Sequence, residues 1–272
     1  KKKITDRMFR PGFIRDSIAK NGSALRPYFK QICLVAESLM KAHDDGIAAF
    51  GTEIYQVLFE VFRDDSSRQE ILGNIVSHTG GGDGASADAA LDVLVHIARH
   101  QSGALRPFAV FIKGILDYLD NLKPHHIRKL FGVLTMISIS NDSGARELDD
   151  DVQIYIRKLL SSHNGKYMQH GIIGAVSAVV ALSTVFRTDR LLSQGAEESA
   201  EENQFTAGGH DRADQAMHLL ATVKSKCEVT PRASVFLYDE LSSALIAVRG
   251  HIDCRIKASA LDWMKDNFPN DY

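Results

Sequence analysis

The sequence predicts an all-α fold, an irregular HEAT-like α-solenoid of antiparallel helical hairpins. Apolar residues recur at helical spacing along nearly the whole chain, and strand-like alternation is almost absent. The periodic stretches are joined mostly by short connections, which favour antiparallel neighbours. The length of 272 residues exceeds the usual single-core size, and a stack of hairpins accommodates it without one large core. No strict repeat motif is evident, but one hairpin per roughly forty residues fits this class.

Each element has its own signature. From Ser23 to about His43, Leu25, Tyr28, Phe29, Ile32, Ala36, Leu39 and Met40 form one stripe, closed at Gly46. Ile47, Phe50, Ile54, Val57, Leu58, Val61 and Phe62 repeat the pattern, and a weaker helix covers Ser66 to Ser77. Gly80-Gly81-Gly82-Asp83-Gly84 is a break, with Ser86 expected to cap the next helix. That helix turns Leu91, Leu94, Ile97 and Ala98 inward. Pro107, Pro124 and Pro231 each fit a helical first turn, where a missing N–H costs nothing. Phe108 to Leu119 and Ile127 to Ile137 follow the first two prolines at helical spacing. Further helices are expected at about Asp149–Ser162, His170–Phe186, Asp211–Cys227, Thr230–Val248 and Lys257–Phe268. Gln194 to His210, with Glu197, Glu198, Glu201, Glu202 and two glycines beyond Gly195, reads as a solvated loop. The expected organisation is a helical segment over 1–190, an acidic Gly-containing loop over 191–210 and a continuing helical segment over 211–272.

Composition narrows the class of function. Hydrophobic residues are 44% and charged residues 24%, which suits a folded water-soluble chain and leaves no case for disorder. The longest apolar run, Gly171 to Val185, is shorter than the roughly twenty residues of a membrane span, so no membrane is expected among the partners. A net charge of −2 names no partner, but residues 1–30 hold nine Lys/Arg against two Asp. Such a segment suits nucleic acid or an acidic protein, and equally a solvated terminus. The chain begins with Lys, which predicts a fragment of a longer protein. Cys33, Cys227 and Cys254 are odd in number and far apart, which predicts a reducing compartment and no disulfide framework.

Catalytic patterns are missing, so no enzyme, cofactor or metal site is expected. The Gly80–Gly84 run lacks the Lys-Ser/Thr of a P-loop. His125 and His126 are adjacent, so on a helix they point about 100° apart and should not share a metal. His163 and His170 flank a loop without Cys or carboxylate at ligand spacing. No nucleophile elbow and no HExxH occurs.

The helix around Lys158 stands out. Val152, Ile156, Leu159 and Leu160 fall at i, i+4, i+7, i+8 and make its buried stripe. Asp150, Ile154 and Lys158 lie on another stripe, about 160° away at Ile154. An aliphatic residue exposed between an acid and a lysine suggests contact with another surface. The alternative is a chance exposed Ile beside an ordinary surface Lys.

Several blocks resemble the middle of the Fanconi anaemia complementation group D-two family. They are Phe111–Asn121 (FIKGILDYLDN), Ile127–Phe131 (IRKLF), Ile156–Ser162 (IRKLLSS) and Gly171–Val176 (GIIGAV). Looser similarity runs from Leu25–Phe29 through Phe50-Gly51 and Tyr238–Glu240 to Ala260–Trp263, so nearly the whole chain is covered. The acidic stretch after Arg190 departs in composition. The resemblance implies a nuclear DNA-repair scaffold that pairs with its Fanconi group I paralogue and clamps duplex DNA. It implies that a RING ubiquitin ligase and its ubiquitin-conjugating enzyme attach one ubiquitin, at a lysine in an Ile-Arg-Lys motif after an Asp-Asp run. Here that lysine is Lys158, with Asp150, Ile154 and Arg157 as docking candidates. A helical-repeat adaptor in transport or chromatin work is the alternative, and would need no special lysine.

Overall fold

The computed structural model describes the backbone at residues 4, 12–80, 84–139, 143–193, 202–248 and 254–267. Side chains are described over the same residues except 143–148, 184–193, 202–211 and 266–267. Among the described residues the chain is helix and connection, with no strand. Two compact units divide it at Ile137/Ser138.

In the first unit, α1 (Phe13–Leu25) leads through a 3-10 turn at Arg26–Tyr28 into α2 (Phe29–Met40). Pro27 has no N–H to donate, which breaks the single helix expected from Ser23 to His43. Asp44 caps α3 (Asp45–Val61) by accepting from the Ile47 N–H, at 2.9 Å. α3 is the centre of the unit: Ile54, Tyr55, Val57, Leu58 and Phe59 are all buried. It packs on α2, on α1 and on α5 (Gly84–Leu105). α4 (Asp65–Gly80) pairs with α5 as the next hairpin. Asp64 caps α4, accepting from Ser67 N–H and the Ser66 hydroxyl while its second oxygen takes Arg26 at 2.9 Å. Residues 81–83 of the expected glycine break lie outside the described residues. Ser86 does not cap α5. It is buried in the first turn and its Oγ lies 2.9 Å from His78 Nδ1.

The run after α5 departs from expectation in the same way as the run after α1. Arg106–Phe108 is 3-10, α6 (Ala109–Lys113) is short, and Gly114–Asn121 returns to 3-10 before α7 (Pro124–Ser138). Ala24-Leu25-Arg26-Pro27 and Ala104-Leu105-Arg106-Pro107 lie eighty residues apart and take the same path. A non-helical residue precedes each at the matching place, Asn21 (φ −117°) and Gln101 (φ −144°). The chain therefore carries a short repeated kink that helical periodicity alone does not reveal.

In the second unit, α8 (Ser143–Leu160) forms a hairpin with α9 (Gly165–Ser193), and α9 also packs on α10 (Glu202–Cys227) and α11 (Pro231–Val248). α12 (Cys254–Asn267) lies against α10 and α11. The Lys224 amine sits 4.6 Å from the Trp263 ring centre, and Arg255 reaches Asp214 at 2.8 Å. Pro124 and Pro231 occupy the first helical position as expected, and Pro107 is the second residue of the 3-10 turn that begins at Arg106. Within the stretch expected as a loop over 191–210, α9 runs to Ser193 and α10 starts at Glu202. Residues 194–201 lie outside the described residues.

The cysteines are free, Cys33 and Cys227 buried and Cys254 exposed. Burial pushes the Cys33 thiol up to about 12, with Glu70 adding to it, and the Cys227 thiol up to about 11. No helix of the described residues is long and apolar enough to cross a membrane.

Candidate functional site

α8 is amphipathic in the sense its sequence dictates. Val152, Ile156, Leu159 and Leu160 are 3%, 0%, 8% and 3% exposed, while Ile154 is 60% exposed. Asp150, Arg157 and Lys158 are exposed with it. One face of the helix is thus held in the core, and Asp150, Ile154 and Lys158 share the other.

Two contacts fix the register of this helix. At its C-terminal end, α9 crosses so closely that a Cβ on Gly171 would stand 2.9 Å from Leu160 N and 3.0 Å from Leu159 Cβ. The backbone directly after Lys158 is therefore gripped by a neighbouring helix. Along the flank, Arg157 Nη2 donates to Gln153 Oε1 at 3.2 Å and Gln153 Nε2 donates to Asp149 Oδ2 at 2.7 Å. Ser138 Oγ lies 3.5 Å from Asp149 Oδ1. Burial raises the Asp149 pKa, helped by the charge of Asp150 and opposed by the Gln153 and Ser138 hydrogen bonds. Arg157 thus turns along the helix flank.

Among the described residues no hydrogen bond or ion pair engages the Lys158 amine. Lys129 is its opposite. Its Nζ lies 2.6 Å from Asp88 Oδ1 and 2.5 Å from Asp92 Oδ1. Burial works against that charge, but the two carboxylates outweigh it and raise the Lys129 pKa.

The basic N-terminal segment is not a free arm where it is described. Arg15 pairs with Glu60 and Arg26 with Asp64, and the Arg26 guanidinium also lies 5.7 Å from the Phe62 ring centre. Residues 1–3 and 5–11 lie outside the described residues.

The two histidine rings lie closer together than the 100° step between them suggests. His125 Nε2 and His126 Nε2 both approach Asp88 Oδ1, at 3.5 and 3.7 Å, with ring centres 4.1 Å apart. The 100° step fixes where Cβ atoms point, and two side-chain torsions per residue bring the ring nitrogens back together. That convergence needs Asp88 from α5, forty residues away in sequence, so spacing within one helix could not disclose it.

Among the described residues the chain is an all-α series of helical hairpins in which α8 is anchored by its apolar face and turns Lys158 to solvent. The family model described as "Fanconi anaemia protein FancD2 nuclease" matches residues 1–272, and the chain belongs to that family. It is 34% identical over 250 residues to the Fanconi anemia group D2 protein homolog of Mus musculus, and 35% identical over 250 residues to that of Rattus norvegicus. Each match covers 91% of this chain and 16% of the relative. The Fanconi anemia group D2 protein of Gallus gallus is 29% identical over 261 residues, 95% of this chain and 17% of that protein. The chain thus spans about a sixth of the length of these relatives.

Proposed function

We propose that this chain is the segment of a nuclear Fanconi anaemia DNA-repair scaffold that carries the single ubiquitin-acceptor lysine, Lys158. The scaffold pairs with the Fanconi group I paralogue, and ubiquitin on Lys158 locks the pair as a clamp on duplex DNA. A RING ubiquitin ligase and its conjugating enzyme deliver the ubiquitin. The family description includes the word nuclease, whereas the curated relatives are titled by group and not by an activity. The scaffold reading follows the relatives.

The family match carries the reading, and α8 suits it: among the described residues nothing engages the exposed Lys158 amine, on a helix whose opposite face is buried and whose last turn is held by Gly171. A lysine amine attacks only when neutral, and an ordinary lysine is mostly protonated at neutral pH. Accurate placement against the thioester is then the main source of rate. The neutral Nζ adds to the thioester carbonyl, the conjugating enzyme's thiolate leaves, and the nitrogen loses a proton as the isopeptide bond forms. Exposed Ile154, one turn before Lys158 on the same stripe, offers the apolar contact for the incoming enzyme.

Lys158→Arg tests it in a reconstituted ubiquitination with the paralogue present. The guanidinium keeps the charge but stays protonated, so mono-ubiquitination should vanish while helix content and melting stay unchanged. Lys129→Arg and Lys166→Arg should be modified normally. Modification of Lys158→Arg at a normal rate on another lysine would overturn the assignment. Ile154→Asp should weaken enzyme docking and move stability by less than about 0.5 kcal/mol.

A further inference from the structure

We propose that Asp88, His125 and His126 form a binding site for a divalent ion of the zinc class, which displaces Lys129 from Asp88 onto Asp92 and clips α7 to α5. One ligand atom from each of the three residues lies within 4.8 Å of the others. In a tetrahedral site with metal–ligand bonds of about 2.0–2.1 Å, neighbouring ligand atoms stand about 3.3 Å apart. The 3.5 and 3.7 Å separations of the two Nε2 atoms from Asp88 Oδ1 need only a few tenths of an ångström of closure.

An independent feature points at a ligand. The His126 side chain is 1% exposed, and among the described residues its buried Nε2 has no hydrogen-bond partner, while it faces the Asp88 carboxylate. Buried polar atoms are almost always satisfied, and one that is not needs a reason. A metal ion supplies it. The neutral imidazole is the form that ligates a metal. His125 is 47% exposed, so the fourth position opens to water.

Lys129 explains how the cluster stands without an ion. Its amine already sits on Asp88 Oδ1, and it holds Asp92 equally closely. When a metal takes Asp88, Lys129 retains Asp92, so no charge is stranded. Two imidazoles and one carboxylate suit zinc, cobalt or nickel and not magnesium or calcium, which take oxygen ligands. Lys123 N–H lies 3.4 Å from His126 Nδ1, a long contact. Ligation through Nε2 places the ring proton on Nδ1 and gives that contact up, so binding carries a tautomer signature.

The test is calorimetric titration of the chain with Zn²⁺, with Co²⁺ as a spectroscopic probe and ¹⁵N NMR of the histidines. One ion per chain is expected, with the visible bands of tetrahedral Co²⁺ and a His126 tautomer shift. His125→Ala removes an exposed ligand without disturbing the core and should weaken binding by more than about tenfold. Lys129→Gln removes the competing cation and should tighten it by about tenfold. His96 and His100, an i, i+4 pair with ring centres 4.3 Å apart, are the alternative pair on α5, and His100→Ala should change nothing. The proposal falls if neither the wild type nor Lys129→Gln gives cobalt bands. It also falls if His100→Ala abolishes binding while His125→Ala keeps it, or if one ion bridges two chains.

Discussion

The α2–α3 and α8–α9 hairpins close by the same device and offer different things to their surroundings. In each, a glycine on the second helix presses on the last turn of the first. A Cβ on Gly51 would stand 2.8 Å from both Ala36 O and Met40 N, and one on Gly171 would stand 2.9 Å from Leu160 N. Outside α2 the surface mixes Leu34 and Val35, 63% and 54% exposed, with Lys30, Gln31 and Ser38, and its following lysine, Lys41, is paired with Glu37 at 2.7 Å. Outside α8 the surface is Asp150, Ile154 and an unengaged Lys158. The same close crossing is purely structural in the first hairpin. In the second it also sets where the Lys158 amine stands, because the gripped residues are the two that follow Lys158.

Filling those crossings should give the largest effect. Gly51→Ala meets backbone on both sides, so the hairpin must open, and a loss of about 1–3 kcal/mol is expected from urea unfolding. Gly171→Ala meets one backbone atom and two side-chain atoms of Leu159 and Leu160, so its loss should lie at the lower end of that range. Only Gly171→Ala should also slow ubiquitin transfer to Lys158, measured as an initial rate on folded protein at low temperature. Equal transfer rates for both variants would break the positional distinction between the hairpins.

The sequence discloses the helices because burial sets the apolar spacing, and α8 is the best example. Val152, Ile156, Leu159 and Leu160 are buried and Ile154 exposed, as the 3.6-residue period requires. What it hides is set by contacts distant along the chain. Asp88 is needed to see His125 and His126 converge, and Leu160 is needed to see why residue 171 is glycine. Local chemistry misleads where two signals compete. Tyr28, Phe29 and Ile32 continue a helical stripe through Pro27, whose missing N–H ends the α-helix there. Glu202 to His210 carries loop composition yet opens α10. The role of Lys158 lies in the resemblance, since an unengaged surface lysine has no periodic signature.

Two aspartates, one in each unit, differ in the sign of their pH response. Asp64 caps α4, and the hydrogen bond from Ser67 holds its carboxyl well below the usual range, with Ser66 and Arg26 assisting against burial. Its folded pKa is depressed, so its contribution is full above the unfolded value near 3.9 and fades as pH falls through the folded value. Asp149 is raised by burial, so its ionisation costs stability as pH rises through the unfolded value toward the folded one. Asp64→Ala should therefore lose about 1 kcal/mol at pH 7 and less in acid. Asp149→Asn should be comparatively more favourable at pH 7 than at pH 3. Parallel pH profiles for the two variants in urea unfolding would contradict both assignments.

The smallest expected effect is a gain, and it shows whether Gly51 and Gly171 matter for close approach or merely as helical glycines. Gly73 on α4 and Gly132 on α7 sit mid-helix, and a Cβ built on either meets nothing within 4 Å. Gly12 is the described glycine with positive φ, so neither needs glycine for its backbone angles. A glycine inside a helix costs chain entropy that alanine does not. Gly73→Ala and Gly132→Ala should each stabilise by about 0.4–1 kcal/mol, read as a higher urea midpoint at unchanged slope. Gly51→Ala and Gly171→Ala gain the same propensity and lose more to the clash, so the two pairs should shift in opposite directions. A loss at Gly73 or Gly132 comparable to that at Gly51 would mean that alanine is disfavoured throughout these helices. The crossings would then be nothing special, and the geometric hold on the Lys158 turn would lose its support.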